Sequence, residues 1–247
     1  MKTPALILFL VACGGGGGSS SGDDDGVAPD APLVVMDAPP SNVPAMVMLK
    51  GKTTETGLSG ESPVGQVALA VYKSSDETTP IAMGTSDAQG NYTLNVPTGG
   101  VPLDGYIKAT KASFLDIYLY PPAAWVADDM DGGINMMSPG NRDLLDNFAN
   151  GDQTDALGMI GLAVYDANGM PVAGATVSSS PASGATRYMG GSGLPDANAT
   201  MTSSEGVAFL FNAPASVTVT ATKSGMTFHP HVVKARPGSF TTTSVAP

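Results

Sequence analysis

The chain repeats part of itself, and this repeat constrains the fold more than any single motif does. A segment over residues 85–97 is echoed by one over residues 202–214, and the segments on either side recur in the same order. The offset between the copies is on the order of 110 residues, as expected for a duplicated structural unit. The sequence therefore predicts two modules of the same kind in tandem.

Each copy carries the pattern of β-strands. Apolar and polar side chains alternate over residues 91–97 and again over residues 217–222, and this period of two is typical of strands with one buried face. Turn sequences such as Gln89-Gly90 and Asn168-Gly169 separate the predicted strands. The predicted fold class is all-β, with two tandem small antiparallel β-sandwiches.

Composition supports this class and excludes one group of functions. The 31 Gly and 20 Pro among 247 residues disfavour long helices. Only 13% of residues are charged, and the formal net charge is -11. Nucleic-acid binding requires clustered Lys and Arg, so no nucleic-acid partner is expected.

One family pattern is visible in the second copy. It consists of a turn, a Pro-Val-Ala-Gly-Ala-Thr-Val segment at 171–177, Glu205-Gly206 in a second turn, and an alternating Val-Thr strand. This order resembles the carboxypeptidase regulatory-like domain, an immunoglobulin-like or prealbumin-like β-sandwich. The first copy departs from the pattern at Gly65-Gln66-Val67. The resemblance implies a sandwich fold and a non-catalytic accessory role for each copy.

The first residues indicate where the protein is sent. Lys2 is followed by an apolar run over residues 5–12, which ends at Cys13, the only cysteine. A membrane-spanning helix takes about 20 apolar residues, so the shorter run is typical of a signal peptide. Leu10-Val11-Ala12-Cys13 resembles the bacterial lipoprotein box, which implies cleavage before Cys13 and a lipid anchor on its thiol. The alternative is a short apolar N-terminus with an unmodified cysteine.

The chain after Cys13 has the composition of a tether. Gly, Ser and Asp are frequent in its first part and Pro in its second part. This composition is typical of a flexible spacer followed by a stiffer one. We therefore expect a lipid-anchored protein of the bacterial cell envelope, held to the outer membrane. Both the periplasmic side and the surface side of that membrane stay open as its location. The predicted divisions are a signal peptide (1–12), a lipidated tether (13–45), a first sandwich (46–122), an acidic connector (123–156) and a second sandwich (157–247).

The connector is predicted to contain one short helix. Ser138 is placed to cap it, Pro139 suits its first turn, and Asn150-Gly151 would end it. The apolar side chains predicted to share one face are Leu144, Leu145 and Phe148.

Candidate binding residues are few, and no catalytic residue is assigned. Asp129, Asp131 and Asn135 resemble the front of a calcium loop, although Gly140 stands where the last ligand should be; the alternative is an exposed acidic turn. Trp125, the only tryptophan, is a possible ligand-binding residue. His229 and His231, two apart on a predicted strand, would point the same way, either as the start of a metal site or as a surface pair.

These features favour a non-catalytic binding, adhesion or structural lipoprotein with a glycan or protein ligand. Two alternatives stay open: a hydrolase with a carboxylate or metal site in the acidic connector, and a passive spacer without a ligand. The sequence has no Gly-x-Ser-x-Gly elbow and no phosphate-binding loop. The hydrolase predicts that one pocket gathers connector carboxylates and a histidine; the residues concerned are Asp128, Asp129, Asp131, Asp143, His229 and His231.

Overall fold

The computed structural model describes residues 42–57, 60–190 and 193–247. The predicted signal peptide, Cys13 and nearly all of the tether lie outside the described residues. Within them the structure has sixteen strands and a single helix, so the predicted all-β class with one short helix is confirmed. A search of the described helical residues finds no segment of the length and apolarity needed to cross a membrane.

The elements are named in chain order. They are β1 (Met46–Gly57), β2 (Gly60–Pro63), β3 (Ala68–Lys73), β4 (Ala82–Thr85), β5 (Asn91–Pro97), β6 (Gly105–Thr110), β7 (Ile117–Leu119), β8 (Asp129–Asn135), α1 (Pro139–Ala149), β9 (Gly158–Val164), β10 (Thr176–Ser180), β11 (Ala185–Met189), β12 (Pro195–Asp196), β13 (Val207–Ala213), β14 (Val217–Thr222), β15 (His231–Val233) and β16 (Phe240–Val245).

A nine-stranded sheet joins the two copies. Its strand order is β12-β11-β13-β9-β16-β7-β6-β3-β4. The C-terminal strand β16 lies in the middle and pairs in parallel with β9 of the second copy and β7 of the first. The sequence does not predict this joint, because parallel pairing between distant segments leaves no local pattern.

Two smaller sheets cover opposite faces of the central sheet. The sheet formed by β1, β2, β5 and β8 packs on one face, and the sheet formed by β10, β14 and β15 packs on the other. Strand β7 shows the division: Ile117 and Leu119 enter the first core, while Tyr118 enters the second. Because neighbouring side chains on a strand point to opposite faces, the central sheet contributes to two separate hydrophobic cores.

The predicted helix is present with the predicted ends. Ser138 accepts a hydrogen bond from the backbone N–H of Asn141, and Asn150 ends the helix in the left-handed conformation. Its buried face is centred on Leu145 and Ala149. The prediction that Phe148 shares this face is wrong, because Phe148 precedes Ala149 by one residue, about 100° around the helix, and its side chain is 44% exposed.

The segment predicted as a calcium loop or an acidic turn is instead the strand β8, which runs parallel to β1. Small residues allow the two strands to lie close together. A Cβ atom on Gly51 would lie 1.6 Å from the carbonyl oxygen of Gly132. The glycines that suggested a turn therefore serve a close backbone approach.

Candidate functional site

A cavity of about 230 Å³ lies between the sheet that carries β8 and the central sheet. We call it the inter-sheet cavity. Its floor is built from small side chains of β9 and β16, among them Gly161, Ala163 and Ser244. A Cβ atom on Gly161 would lie 2.7 Å from the ring of Phe240, so the ring already fills the space above this glycine.

Trp125 forms part of the cavity wall. Its side chain is only 6% exposed, so the structure places the predicted ligand-binding residue inside the fold rather than on a surface loop. Two backbone hydrogen bonds with Leu103, of 2.9 and 3.0 Å, hold it in place. The remaining wall is largely apolar and includes Leu49 and Phe209. This composition is typical of a binding pocket for a small ligand.

One hydroxyl group at the floor has no partner. The Oγ1 atom of Thr242 is buried and makes no hydrogen bond within the described chain, whereas its neighbours are paired. Thr241 donates a 2.9 Å hydrogen bond to the carbonyl of Lys234, and Thr243 lies 2.8 Å from Nδ1 of His231. An unpaired buried polar group costs about 1–3 kcal/mol.

Asp129 is the acidic residue among the described residues that line the cavity. It is half-buried and accepts a 3.2 Å hydrogen bond from the backbone N–H of Asp131. Burial, together with the nearby charge of Asp131, raises the pKa of Asp129 above its ordinary value. Of the residues that the structure describes, no Lys, Arg or His side chain lines the cavity. The carboxylate therefore lacks a cationic partner there.

The predicted calcium ligands line two different surfaces: Asp129 lines the inter-sheet cavity, Asp131 lines a groove outside it, and Asn135 lines both. Asp131 is exposed on the outer face of its sheet, where it lines a shallow polar groove, and the side-chain oxygen of Asn135 accepts a hydrogen bond from the backbone of Thr56. In the described part of the chain, no group of three or more His, Cys, Asp or Glu side chains is arranged to hold a metal ion. Calcium binding stays a prediction.

The histidines lie away from the connector carboxylates. His231 belongs to the outer sheet on the opposite face of the central sheet, and burial lowers its pKa. His229 precedes that strand and is exposed. Asp128 accepts a hydrogen bond from the backbone of Met48, and Asp143 is paired with Arg142 at 2.8 Å. The described residues therefore lack the convergence that the hydrolase alternative predicts.

A cluster at the joint between the copies was not predicted. Arg236 lies over the ring of Tyr118, with 3.9 Å from the guanidinium carbon to the ring centre. The same guanidinium donates a 2.7 Å hydrogen bond to Glu77 of the first copy. Nothing in the spacing of these residues along the chain signals the contact, because it depends on the shared central sheet.

Comparisons with known proteins were made for the whole chain. No protein-family model matches it, and no curated protein matches it. Among solved structures it is similar to the TIE protein of Bacillus anthracis, at 12% identity and a TM-score of 0.27 over 81% of this chain and 34% of that one. The chain thus spans about a third of the length of that protein.

Two pilins are also among the similar structures. The shaft pilin SpaA of Lactobacillus rhamnosus GG matches at 14% identity and a TM-score of 0.25, over 82% of this chain and 97% of that one. GBS52, the minor pilin of Streptococcus agalactiae, matches at 12% identity and a TM-score of 0.27, over 81% and 94%. The all-β class of this chain follows from its own strand pairing.

Proposed function

We propose that the chain is a non-catalytic binding module of the bacterial cell envelope, which takes a ligand in the inter-sheet cavity and is anchored by a lipid on Cys13. The observation that carries the proposal is the cavity itself. It combines an aromatic wall at Trp125, a floor of small residues, and the carboxylate of Asp129, which has no cationic partner among the described lining residues. A mostly apolar pocket with a few placed polar groups suits recognition of a ligand.

The same geometry favours binding over the two alternatives. Catalysis of hydrolysis by acid and base groups needs at least two of them near each other, and Asp129 is the only titratable carboxylate or histidine among the described lining residues. A passive spacer has no need of a cavity with an unpaired hydroxyl at Thr242. The sequence of the tether supports a module held away from its membrane.

Ligand binding can be tested through Trp125, since it is the only tryptophan in the chain and lines the cavity. A fragment library should contain compounds that change its fluorescence in a saturable way. Ala163→Leu, which fills the floor, should abolish these responses. A matched control is Ala82→Leu on β4, outside the lining residues. Hits that bind the Ala163→Leu variant unchanged would argue against the cavity as the site.

The lipid anchor is tested separately. Cys13→Ser should release the protein from the membrane fraction and abolish globomycin-sensitive processing, because the thiol accepts the lipid. A second variant that combines Cys13→Ser with Ser19→Cys restores a thiol outside the lipoprotein box and should stay released. Unchanged membrane association of Cys13→Ser would refute the anchor and leave the cavity proposal standing.

A further inference from the structure

We propose that the inter-sheet cavity selects a small organic cation, that is, an apolar body carrying one ammonium group. This inference rests on the proposed function and deepens it by naming the ligand class. It is carried by the lining of the cavity, which brings together the carboxylate of Asp129 and the aromatic side chain of Trp125.

The charge of the lining determines the sign of the charge that a ligand should carry. Asp129 lines the cavity, and none of the salt bridges between described residues includes it. A half-buried carboxylate without a cationic partner is less favourable than one in water, and an opposite charge close to it stabilises its ionised form. Since no basic side chain of the described chain lines the cavity, an anionic ligand would meet only repulsion from Asp129.

The volume of the cavity and its apolar lining determine the size and the apolar character of the ligand. Trp125 lines the cavity, and an aromatic ring attracts both apolar groups and cations. The volume of about 230 Å³ is below the roughly 300–1,000 Å³ of pockets for drug-sized molecules. The ligand is therefore small, with a body about the size of one aromatic ring.

A neutral ligand of the same shape would leave the charge of Asp129 without a cationic partner. The lining therefore discriminates between an amine and its neutral counterpart.

Three probes of one shape test this inference: phenethylamine, 2-phenylethanol and phenylacetate. They are added to the full-length chain carrying Cys13→Ser, and the fluorescence of Trp125 reports binding. Phenethylamine should bind in a saturable way, at least about tenfold more tightly than the alcohol, which corresponds to about one charge-assisted contact. Phenylacetate should not bind measurably.

Substitutions identify the groups responsible. Asp129→Asn should bind the amine and the alcohol alike, whereas Asp131→Asn, two residues further along the same strand and exposed, should keep the preference. The content of β-structure is checked for each variant by circular dichroism.

The pH dependence of binding to the chain without these substitutions tests the role of Asp129 even if a variant fails to fold. Amine binding should weaken on acidification as the carboxylate of Asp129 takes up a proton, while alcohol binding should not change. Equal affinity for amine and alcohol, or a preference for phenylacetate, would overturn the cation inference and leave a neutral or anionic ligand for the same cavity. If none of the three probes binds, the cation inference fails, and the fragment screen then decides the proposed function by itself.

Discussion

The hydroxyl of Tyr92 donates a 2.7 Å hydrogen bond to the carbonyl oxygen of Gly132, which lies 40 residues further along the chain. The bond joins β5 to β8 across the intervening strand β1. Burial raises the pKa of Tyr92, so the phenol stays protonated as a donor. The contact fixes the strand that carries Asp129, and with it one wall of the inter-sheet cavity.

Gly51→Ala should destabilise the protein. A Cβ atom there would lie 1.6 Å from the carbonyl oxygen of Gly132 and 2.8 Å from the hydroxyl of Tyr92, and the backbone atom can move only with β8. We expect a loss of about 1–3 kcal/mol in the free energy of unfolding, measured by urea denaturation. Gly140→Ala is the control, since a Cβ atom meets no other atom within 4 Å there. Equal stability of the two variants would contradict the close approach.

Thr242→Val should stabilise the protein in the absence of ligand. The substitution removes a buried hydroxyl that has no hydrogen-bond partner, and we expect a gain of roughly 1 kcal/mol in the free energy of unfolding. Thr241→Val is the matched control, because its hydroxyl donates a 2.9 Å hydrogen bond to the carbonyl of Lys234. That variant should lose stability by a similar amount. A loss in both variants would mean that the hydroxyl of Thr242 is satisfied after all.

Removal of residues 239–247 should unfold both copies. Strand β16 is the shared neighbour of β7 and β9, so its loss exposes two strand edges in the middle of the central sheet. We expect the intact chain to unfold in a single transition by calorimetry and the truncated chain to show none. Removal of the exposed Pro247 alone should leave the transition in place. A truncated chain that still melts cooperatively would show that one copy folds without β16.

The contact between Glu77 and the second copy should make stability depend on acid pH. Partial burial alone would raise the pKa of Glu77, but hydrogen bonds from Lys234 and Arg236 outweigh it and hold the pKa below its ordinary value. A lowered pKa contributes stability above the ordinary value of about 4.3, and this contribution is lost as the pH falls through the lowered pKa.

The melting temperature should therefore fall between about pH 5 and about pH 3, and part of this fall should be absent in Glu77→Gln. That variant should also melt at a lower temperature at neutral pH. Glu61→Gln, on an exposed strand of the first copy, controls for the loss of one negative charge. An unchanged pH profile in Glu77→Gln would show that the ion pair with Arg236 contributes nothing to folding.

Local features of this fold were predictable from the sequence. The alternation over residues 91–97 appears in the structure as strict alternation of exposed and buried side chains, and the helix begins after Ser138 and ends at Asn150 as expected. Such features depend on a few neighbouring residues, and their pattern can be recognised without the rest of the chain.

Features that depend on distant segments were not predictable. The Asp- and Gly-rich segment of β8 has a single β-branched residue, Ile134, although such residues favour strands. It forms a strand because β1 offers an edge for it to pair with. Similarly, Trp125 could be singled out as a rare residue, whereas the unpaired hydroxyl of Thr242 could not. One threonine in a run of three differs from its neighbours only through what surrounds it.

The position of β16 also determines when the protein can fold. The strand that completes the middle of the central sheet follows all the other strands of that sheet in the sequence, so β7 and β9 have no partner at that edge until β16 has been synthesised. Contacts between segments so distant along the chain form slowly, and open strand edges invite aggregation in the meantime. A chain exported in unfolded form would thus complete its native sheet only after β16 has crossed the membrane.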